Sequence, residues 1–438
     1  MKFQSFITIS LLSLVLISCE YEFPTPPEEP VQGAENADLS NTLFLGGTRF
    51  SGVFDGGYSS NTSLYNLPNL ILKNGKLVAA DAVVGPQPNI SSSFNIYLNS
   101  SLNGNSGNYE VFFPSLDTTV FKRRVAEGGP LSFSNQGTSI ENAIGLPGLG
   151  ILDITQSNSS NIYLNSFYPS LSGSLMSAVS QSTPSFVIID AGFEDILNFS
   201  LNGAAGNAEV TDPALINAGD LPSEELFRAE LERLVSSLIS ANTKGALLNI
   251  PSILQFPMFS RVEYDLTPYI NGKPILSTVR SQANTLNAKL LAYYRQNPNT
   301  PDSERRPLFD FAGDNAGNWG IVNEDPTLAE VNYNGEELPK VRHALNNEYF
   351  IYKNENALRT GYGARIDNPV PHTSFITAKE AILIKQKIQA YNQIIASVVA
   401  NSGGNLILVD TQLFFDNLFE GYDRVLNNAP EGTTVDGV

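Results

Sequence analysis

Short, continuous apolar runs recur along the chain and predict buried strands. The runs at 43–45 (LFL) and 186–189 (FVII) contain no polar residue, which is typical of strands covered on both faces of a parallel sheet. Two further runs, at 246–250 and 405–409, each follow a long helical pattern. Strands that alternate with helices in this way predict a parallel sheet covered by helices, an α/β fold.

The helical segments have clear amphipathic faces and recognisable ends. One is predicted from about Ser223 to Ala241, with its apolar residues at helical spacing, and it ends before Lys244-Gly245. A second begins at Thr377, which forms a capping box with Glu380, and continues to Gly403-Gly404. A third is predicted over 277–296.

The N-terminus carries an export signal that ends at a cysteine. Lys2 and the apolar run over 6–17 are typical of a signal peptide, and the run is shorter than the roughly 20 residues needed to span a membrane. The sequence Leu16-Ile17-Ser18-Cys19 resembles a lipoprotein cleavage box, which implies that residues 1–18 are removed and Cys19 is lipidated. We therefore expect a cell-envelope protein held by its lipid at a bacterial outer membrane, on the periplasmic or the surface face.

The remainder divides into a tether and one large domain. Residues 19–38 are rich in Pro and Glu and have too few apolar groups to form a core, which predicts an extended tether. The domain is predicted over 39–438. It should carry a β-rich insertion at about 60–140, where Asn and Ser are abundant up to 109, and a mixed insertion at about 300–370.

Composition and charge exclude some classes of function. The chain has 44 acidic and 26 basic residues and a formal net charge of −18, without a long Lys/Arg run, so we expect no nucleic-acid partner. Cys19 is the single cysteine, which leaves no internal disulfide and no thiolate cluster for a metal. Hydrophobic residues make up 42% of the chain and permit a globular core.

Three segments that follow predicted strands share features with one enzyme family. They are LFLGGTRFSG at 43–52, AIGLPGL at 143–149 and Gly192-Phe193-Glu194-Asp195. In this order they resemble the Gly-Asp/Asn-Ser, Asn-x-Gly-x-x-Gly and Gly-x-Asn-Asp blocks of the SGNH or GDSL hydrolases. Two later stretches, at 244–256 and 367–377, resemble exported lipoprotein members of that family.

The resemblance implies a three-layer α/β/α fold of the SGNH type and an ester hydrolase of lipid, acyl or acetylated-glycan substrates, with no cofactor. It places Thr48 at the position of the nucleophilic serine. Gly148 takes the position of a backbone oxyanion donor, and Glu194 that of the oxyanion asparagine.

This chain departs from the family at the residues that carry the chemistry. Thr48 keeps a hydroxyl, but its methyl group restricts χ1 in a tight turn, and the residue alternatively serves only the backbone of that turn. An ionised Glu194 would repel a negative intermediate, and only a pKa raised by burial would make it a donor. Gly148 is alternatively kept for turn geometry, and Asp195 for capping the helix that follows it.

The family's final Asp-x-x-His-Pro block does not occur in this sequence. The printed sequence stops at Val438, just short of that motif or in a loop before it. The two histidines, His343 and His372, have no Asp-x-x-His context, and we interpret them as ordinary surface or loop residues.

A carboxylate site is the other constellation that the sequence offers. Asp55, Glu194, Asp195 and Asp410 all follow predicted strands or lie in nearby loops. Their spacing matches neither a calcium loop nor a glycosidase pair, so no metal ligand is assigned.

Two functions therefore remain open. The chain is either an acylhydrolase-lineage lipoprotein with a degenerate or truncated catalytic set, with little or no activity as written, or a non-catalytic lipoprotein. The second alternative would bind a glycan or lipid in the same cleft. A purely structural envelope protein is a third class.

Overall fold

The apolar runs form the centre of one parallel sheet. The structure, a computed structural model, describes residues 37–53, 57–58, 60–78, 84–86, 142–240, 243–260, 275–309, 320–345, 347–351 and 362–420, together with short strands at 94–95, 109–115, 118–123, 422–423 and 434–435. The predicted signal peptide, Cys19 and almost all of the tether lie outside these residues.

The strands, in chain order, are β1 Thr42–Gly46, β2 Gly57–Tyr58, β3 Phe94–Asn95, β4 Tyr109–Ser115, β5 Thr118–Arg123, β6 Ala143–Gly145, β7 Phe186–Ile189, β8 Lys244–Leu248, β9 Val322–Glu324, β10 Asn332–Tyr333, β11 Glu336–Glu337, β12 Val341–His343, β13 Tyr349–Phe350, β14 Phe375–Ile376, β15 Leu406–Val409, β16 Tyr422–Asp423 and β17 Thr434–Val435.

The α-helices are α1 Thr48–Ser51, α2 Ser60–Ser63, α3 Leu67–Asn74, α4 Ile151–Thr155, α5 Ile162–Phe167, α6 Leu175–Ser180, α7 Phe193–Leu201, α8 Glu224–Leu238, α9 Pro257–Ser260, α10 Ile275–Gln296, α11 Ala378–Ala400 and α12 Thr411–Glu420. Short 3-10 helices occur at Pro213–Leu215, Ile253–Gln255, Asp302–Glu304 and His372–Ser374.

The central sheet has the order β6-β1-β7-β8-β15, and all four strand pairs are parallel. Numbered by their appearance in the chain, these strands run 2-1-3-4-5, the order of a doubly wound sheet. The strand order reverses between β1 and β7. Ligands of such sheets bind beyond the carboxyl ends of the strands at this reversal point, so the segments after β6, β1 and β7 bear most directly on function.

Strand β1 is buried on both faces. Successive side chains of a strand point to opposite faces, so its residues enter two different apolar clusters. Leu43 and Leu45 belong to the main core, in which α4, α6 and α11 pack against α8. Phe44 points to the other side, where it packs with Phe50 and Leu72. The prediction of a parallel sheet in an α/β fold is confirmed.

The element boundaries differ from the predictions by a few residues. Helix α8 begins after its N-cap Ser223 as expected but ends at Leu238. Strand β8 starts at Lys244, before the apolar run. The capping box of Thr377 and Glu380 is present at the start of α11.

The start of the predicted β-rich insertion is helical. The Asn66 side chain accepts a hydrogen bond from the N–H of Asn69 and caps α3, and Pro68 lies in the first turn of that helix, where it needs no N–H partner. The antiparallel pair β4–β5 lies further along the same region.

A second apolar cluster lies between α10 and the segments of 309–375. Beside it, Arg342 pairs with Asp325 at 2.6 Å and with Glu348 at 2.5 Å, and both carboxylates are almost fully buried. A buried charge is tolerated only when it is paired, so separating these ion pairs would be costly. Asp325 follows β9 and Glu348 follows β12, and the two pairs therefore hold both loops against Arg342.

Candidate functional site

Thr48, Gly148 and Glu194 come together at the carboxyl ends of three adjacent strands. Thr48 begins α1 two residues after β1, Gly148 lies in the turn after β6, and Glu194 lies in the first turn of α7 after β7. The fold therefore brings together three residues that lie far apart in the sequence.

The Glu194 carboxylate occupies the space between the other two residues. Its Oε1 accepts a hydrogen bond from the backbone N–H of Thr48, and its Oε2 accepts one of 2.9 Å from the N–H of Gly148. The side chain is buried, with the residue only 2% exposed. Two backbone donors that converge on one point form an anion-binding nest, and here the anion is a side chain of the same chain.

Burial and neighbouring groups act in opposite directions on this carboxyl. Burial is the largest influence and raises the pKa of Glu194 to about 7, and the charge of Asp190 adds to the rise. The hydrogen-bond donors of Thr48 and Gly148 lower the pKa, since they stabilise the ionised form. The pKa of Glu194 is thus raised by burial, as it must be for the carboxyl to act as a hydrogen-bond donor. Both oxygens of the carboxyl, however, accept hydrogen bonds from backbone N–H groups.

Gly47 leaves the room that Glu194 fills. A Cβ atom on Gly47 would lie 2.5 Å from Oε1 of Glu194 and still closer to its Cγ and Cδ. A side chain at position 47 and the Glu194 side chain therefore compete for the same space, a steric relation that the separate sequence segments do not reveal.

The Thr48 hydroxyl is enclosed. Its Oγ1 is buried and makes no regular hydrogen bond to any residue that the structure describes, although it lies close enough to Glu194 to lower the pKa of that carboxyl. The backbone of Thr48 accepts a hydrogen bond of 3.0 Å from the Ser51 hydroxyl. Among the described residues, the Thr48 hydroxyl has no histidine partner, and the carboxyl beside it, that of Glu194, is bound by the Thr48 and Gly148 N–H groups, so the pair of nucleophile and base that general-base activation requires is not formed.

Arg49 ties four strand ends together, and sequence reasoning missed it. Its guanidinium forms a bidentate pair with the buried Asp190, with Nε–Oδ2 at 2.8 Å, and it donates to the Asn249 carbonyl and the Thr411 hydroxyl. It also lies 4.3 Å from the centre of the Phe193 ring. These partners follow β7, β8 and β15, so Arg49 fills the area beside Thr48 with a fixed ion pair.

Asp195 caps a different helix from the one we expected. Its carboxylate accepts the N–H of Ile151 at 3.1 and 3.2 Å, at the start of α4. The N-cap of its own helix, α7, is Gly192. Burial raises the pKa of Asp195 to about 7, the Ile151 N–H lowers it, and Asp153 raises it. Asp195 thus holds the turn that presents the Gly148 N–H.

The remaining candidates lie in other settings. His343 is half-buried on β12 with its ring edge-on to Phe309 at 4.7 Å, which differs from the expected surface or loop position. His372 lies in a 3-10 helix, 3.9 Å from the Glu324 carboxylate. Asp410 accepts a hydrogen bond of 2.7 Å from Asn249.

Asp55 lies outside the described residues. Within the residues that the structure does describe, no group of three or more His, Cys, Asp or Glu side chains is arranged to hold a metal ion.

No helix in the described part of the chain combines the length and hydropathy required to cross a bilayer. Comparisons with protein-family models, with curated proteins and with solved structures found no match to this chain.

Proposed function

We propose that this domain is a non-hydrolysing relative of the SGNH ester hydrolases, with their three-layer α/β/α fold, and that it binds a ligand at the bacterial envelope. The support is the order of three motif-like segments after β1, β6 and β7 and their convergence at the reversal point of the sheet. One observation carries the loss of hydrolysis, namely the Glu194 carboxylate between the N–H groups of Thr48 and Gly148.

Those two N–H groups are the donors that an SGNH-type hydrolase would aim at the developing oxyanion. With Glu194 bound to both, a substrate carbonyl oxygen has no place between them, and a negative intermediate would stand beside a carboxylate. Removing one oxyanion donor costs on the order of 10²- to 10³-fold in kcat. Here the asparagine donor is replaced and both backbone donors are engaged, so stabilisation of the transition state is lost as a whole.

The rival function is a working acylhydrolase. The buried Thr48 hydroxyl, whose oxygen makes no regular hydrogen bond with the described residues, is the observation in its favour. For Thr48 to act as a nucleophile, a substrate would have to displace the Glu194 side chain, and a base would have to accept the proton of the Thr48 hydroxyl.

We further propose that Cys19 carries a lipid and anchors the protein at the outer membrane. The support is the sequence of residues 1–19 and the acidic, Pro-rich tether that follows it.

Hydrolysis of p-nitrophenyl acetate by the purified chain tests the loss of activity. We expect the wild type and Thr48→Ala to hydrolyse the ester at the same rate within a factor of about two, because Thr48 is not activated. His372→Ala is the control, since an exposed imidazole attacks activated esters by itself. A wild-type rate well above buffer that Thr48→Ala abolishes and His372→Ala preserves would establish Thr48 as a nucleophile and overturn the proposal.

A further inference from the structure

A groove of about 780 Å³ lies at the carboxyl ends of β8 and β15. One wall is the segment 252–255, which follows β8, and the other is the part of α11 between 385 and 396. Tyr349 and Gln412 complete the lining. Neither Thr48 nor Glu194 is among the described residues of the lining, so this groove is separate from the closed nest. Ligand pockets commonly have volumes of about 300 to 1,000 Å³, and this one falls within that range.

The lining carries one positive charge and, among the described residues, no negative charge. Lys385 is exposed and makes no ion pair or hydrogen bond with the described part of the chain. The α11 residues three and four positions away from it, at 381, 382, 388 and 389, are Ala, Ile, Ile and Gln. The chain as a whole is acidic, but at physiological salt distant charges are screened over about 8 Å. Lys385 therefore favours a ligand that brings a carboxylate.

Two free side-chain amides continue the row that Lys385 begins. Gln389 and Gln393 follow Lys385 at intervals of four residues along α11, and both are exposed. Neither side chain makes a hydrogen bond with the residues that the structure describes. Four residues of an α-helix advance by about 6 Å, and two residues of an extended peptide advance by about 6.7 Å. An extended peptide that lies along α11 therefore presents every second residue to one member of this row.

Another amide of this groove already binds a peptide main chain. The Oδ1 of Asn392 accepts the N–H of Ile250 at 2.8 Å, and its Nδ2 donates to the C=O of Ile250 at 2.9 Å. A side-chain amide suits this role because it has a donor and an acceptor, as a peptide group does. Asn392 is occupied by this contact, whereas Gln389 and Gln393 offer the same groups to a ligand.

From these features we infer that the groove binds an extended acidic peptide, with a carboxylate paired to Lys385 and peptide groups hydrogen-bonded by Gln389 and Gln393. Ser252 and Tyr349 are half-buried in the lining, and their hydroxyls make no hydrogen bond with the described residues, so they are available to the same ligand. The inference goes beyond the proposed function and does not depend on it, because the groove contains no residue of the closed nest.

Isothermal titration calorimetry of the purified protein with short peptides, at about 0.15 M salt, tests the inference. The probes are the N-acetylated, C-amidated hexapeptide Thr-Glu-Thr-Glu-Thr-Glu and its counterpart with Gln in place of Glu. Glutarate is the comparison that has carboxylates without a peptide chain. We expect the Glu peptide to bind with a Kd of about 10 µM to 0.5 mM, about fivefold or more tighter than the Gln peptide, and glutarate not to bind.

Two matched pairs of variants on α11 locate the site. Lys385→Glu should weaken binding of the Glu peptide about tenfold or more. Lys379→Glu makes the same charge change at an exposed residue outside the lining and should alter the Kd less than about twofold. Gln389→Ala should weaken binding about fivefold, whereas Gln386→Ala, also exposed but outside the lining, should leave it unchanged.

Several results would overturn the inference. These are no binding of the Glu peptide, equal affinity for the Gln peptide, or equal losses in Lys385→Glu and Lys379→Glu. Binding of glutarate as tight as that of the Glu peptide would show a site for a carboxylate alone and would overturn the assignment of a peptide. Ester hydrolysis that depends on Thr48 would overturn only the proposed function, because the peptide titrations do not involve the nest.

Discussion

Glu194 and Gly47 together determine what occupies the space between the Thr48 and Gly148 N–H groups. The sequence alone indicates that Glu194 is a poor replacement for an oxyanion donor, because a carboxylate repels negative charge. It does not indicate that the carboxylate folds back onto the Thr48 and Gly148 N–H groups. Those hydrogen bonds join residues separated by 146 and 46 positions, and their geometry depends on how the three turns are stacked.

The steric coupling of these residues predicts a non-additive double variant. Gly47→Ala should lower the free energy of unfolding by about 1 to 3 kcal/mol, because its Cβ displaces the Glu194 side chain. In a Glu194→Ala background the same change should cost at least about 1 kcal/mol less, since the obstructing carboxyl is gone. Urea unfolding of the four proteins measures this difference.

Gly320→Ala is the control for this cycle, because its Cβ would meet the nearest atom at an ordinary 3.4 Å. We expect it to change stability by no more than about 0.5 kcal/mol. Equal effects of Gly47→Ala in both backgrounds would show that Glu194 does not occupy the space beside Gly47.

At the level of elements, the apolar runs and helix caps predict four of the five central strands, all but β6, and the three long helices α8, α10 and α11. The strands are buried on both faces, so each one is an uninterrupted run of apolar residues in the sequence. Ser223 and Thr377 are the N-caps at which α8 and α11 begin. The helices at 60–74 were missed because abundant Asn and Ser suggested turns, whereas Asn66 serves as a helix cap there. The Arg49 network was missed because its partners follow three other strands.

Helix α7 carries Glu194, and its first turn depends on Gly192. Gly192 has φ +88°, and a Cβ there would lie 2.9 to 3.0 Å from Phe227 and Ile250. Gly192→Ala should therefore lower stability by at least about 2 kcal/mol, from backbone strain and contact with the core.

Gly404→Ala provides a matched comparison for that substitution. Gly404 also has a positive φ, +82°, but nothing lies within 4 Å of its Cβ position. Gly404→Ala should therefore lower the free energy of unfolding by the backbone strain alone, about 1 kcal/mol. Equal losses for the two variants in thermal unfolding would mean that packing around Gly192 adds nothing.

At the scale of the whole molecule, the sheet order explains why three distant segments meet. The order 2-1-3-4-5 places β6, β1 and β7 side by side, so the turns after them share one edge. The sequence predicts that meeting point from the parallel sheet alone. Whether the point is open or closed depends on side-chain size at Gly47 and Glu194, which strand patterns do not encode.

Membrane association belongs to the whole protein and depends on Cys19. We expect the wild type to fractionate with membranes and to be extracted by detergent, because acyl chains contribute about 0.8 kcal/mol per buried CH₂. Cys19→Ala should release the protein or leave its signal peptide uncleaved, whereas Ser18→Ala, which keeps a small residue before the cysteine, should behave as the wild type. A Cys19→Ala protein that has lost its signal peptide and still fractionates with membranes would refute the lipid anchor.

The backbone amide signals of Thr48 and Gly148, followed by ¹H–¹⁵N NMR as a function of pH, test the central claim most directly. If Glu194 binds both N–H groups, the two signals should titrate with one common midpoint near the pKa of about 7 and move downfield as the carboxyl ionises. The titration should disappear from both in Glu194→Gln. Signals that do not titrate, or that titrate unchanged in Glu194→Gln, would contradict the closed nest.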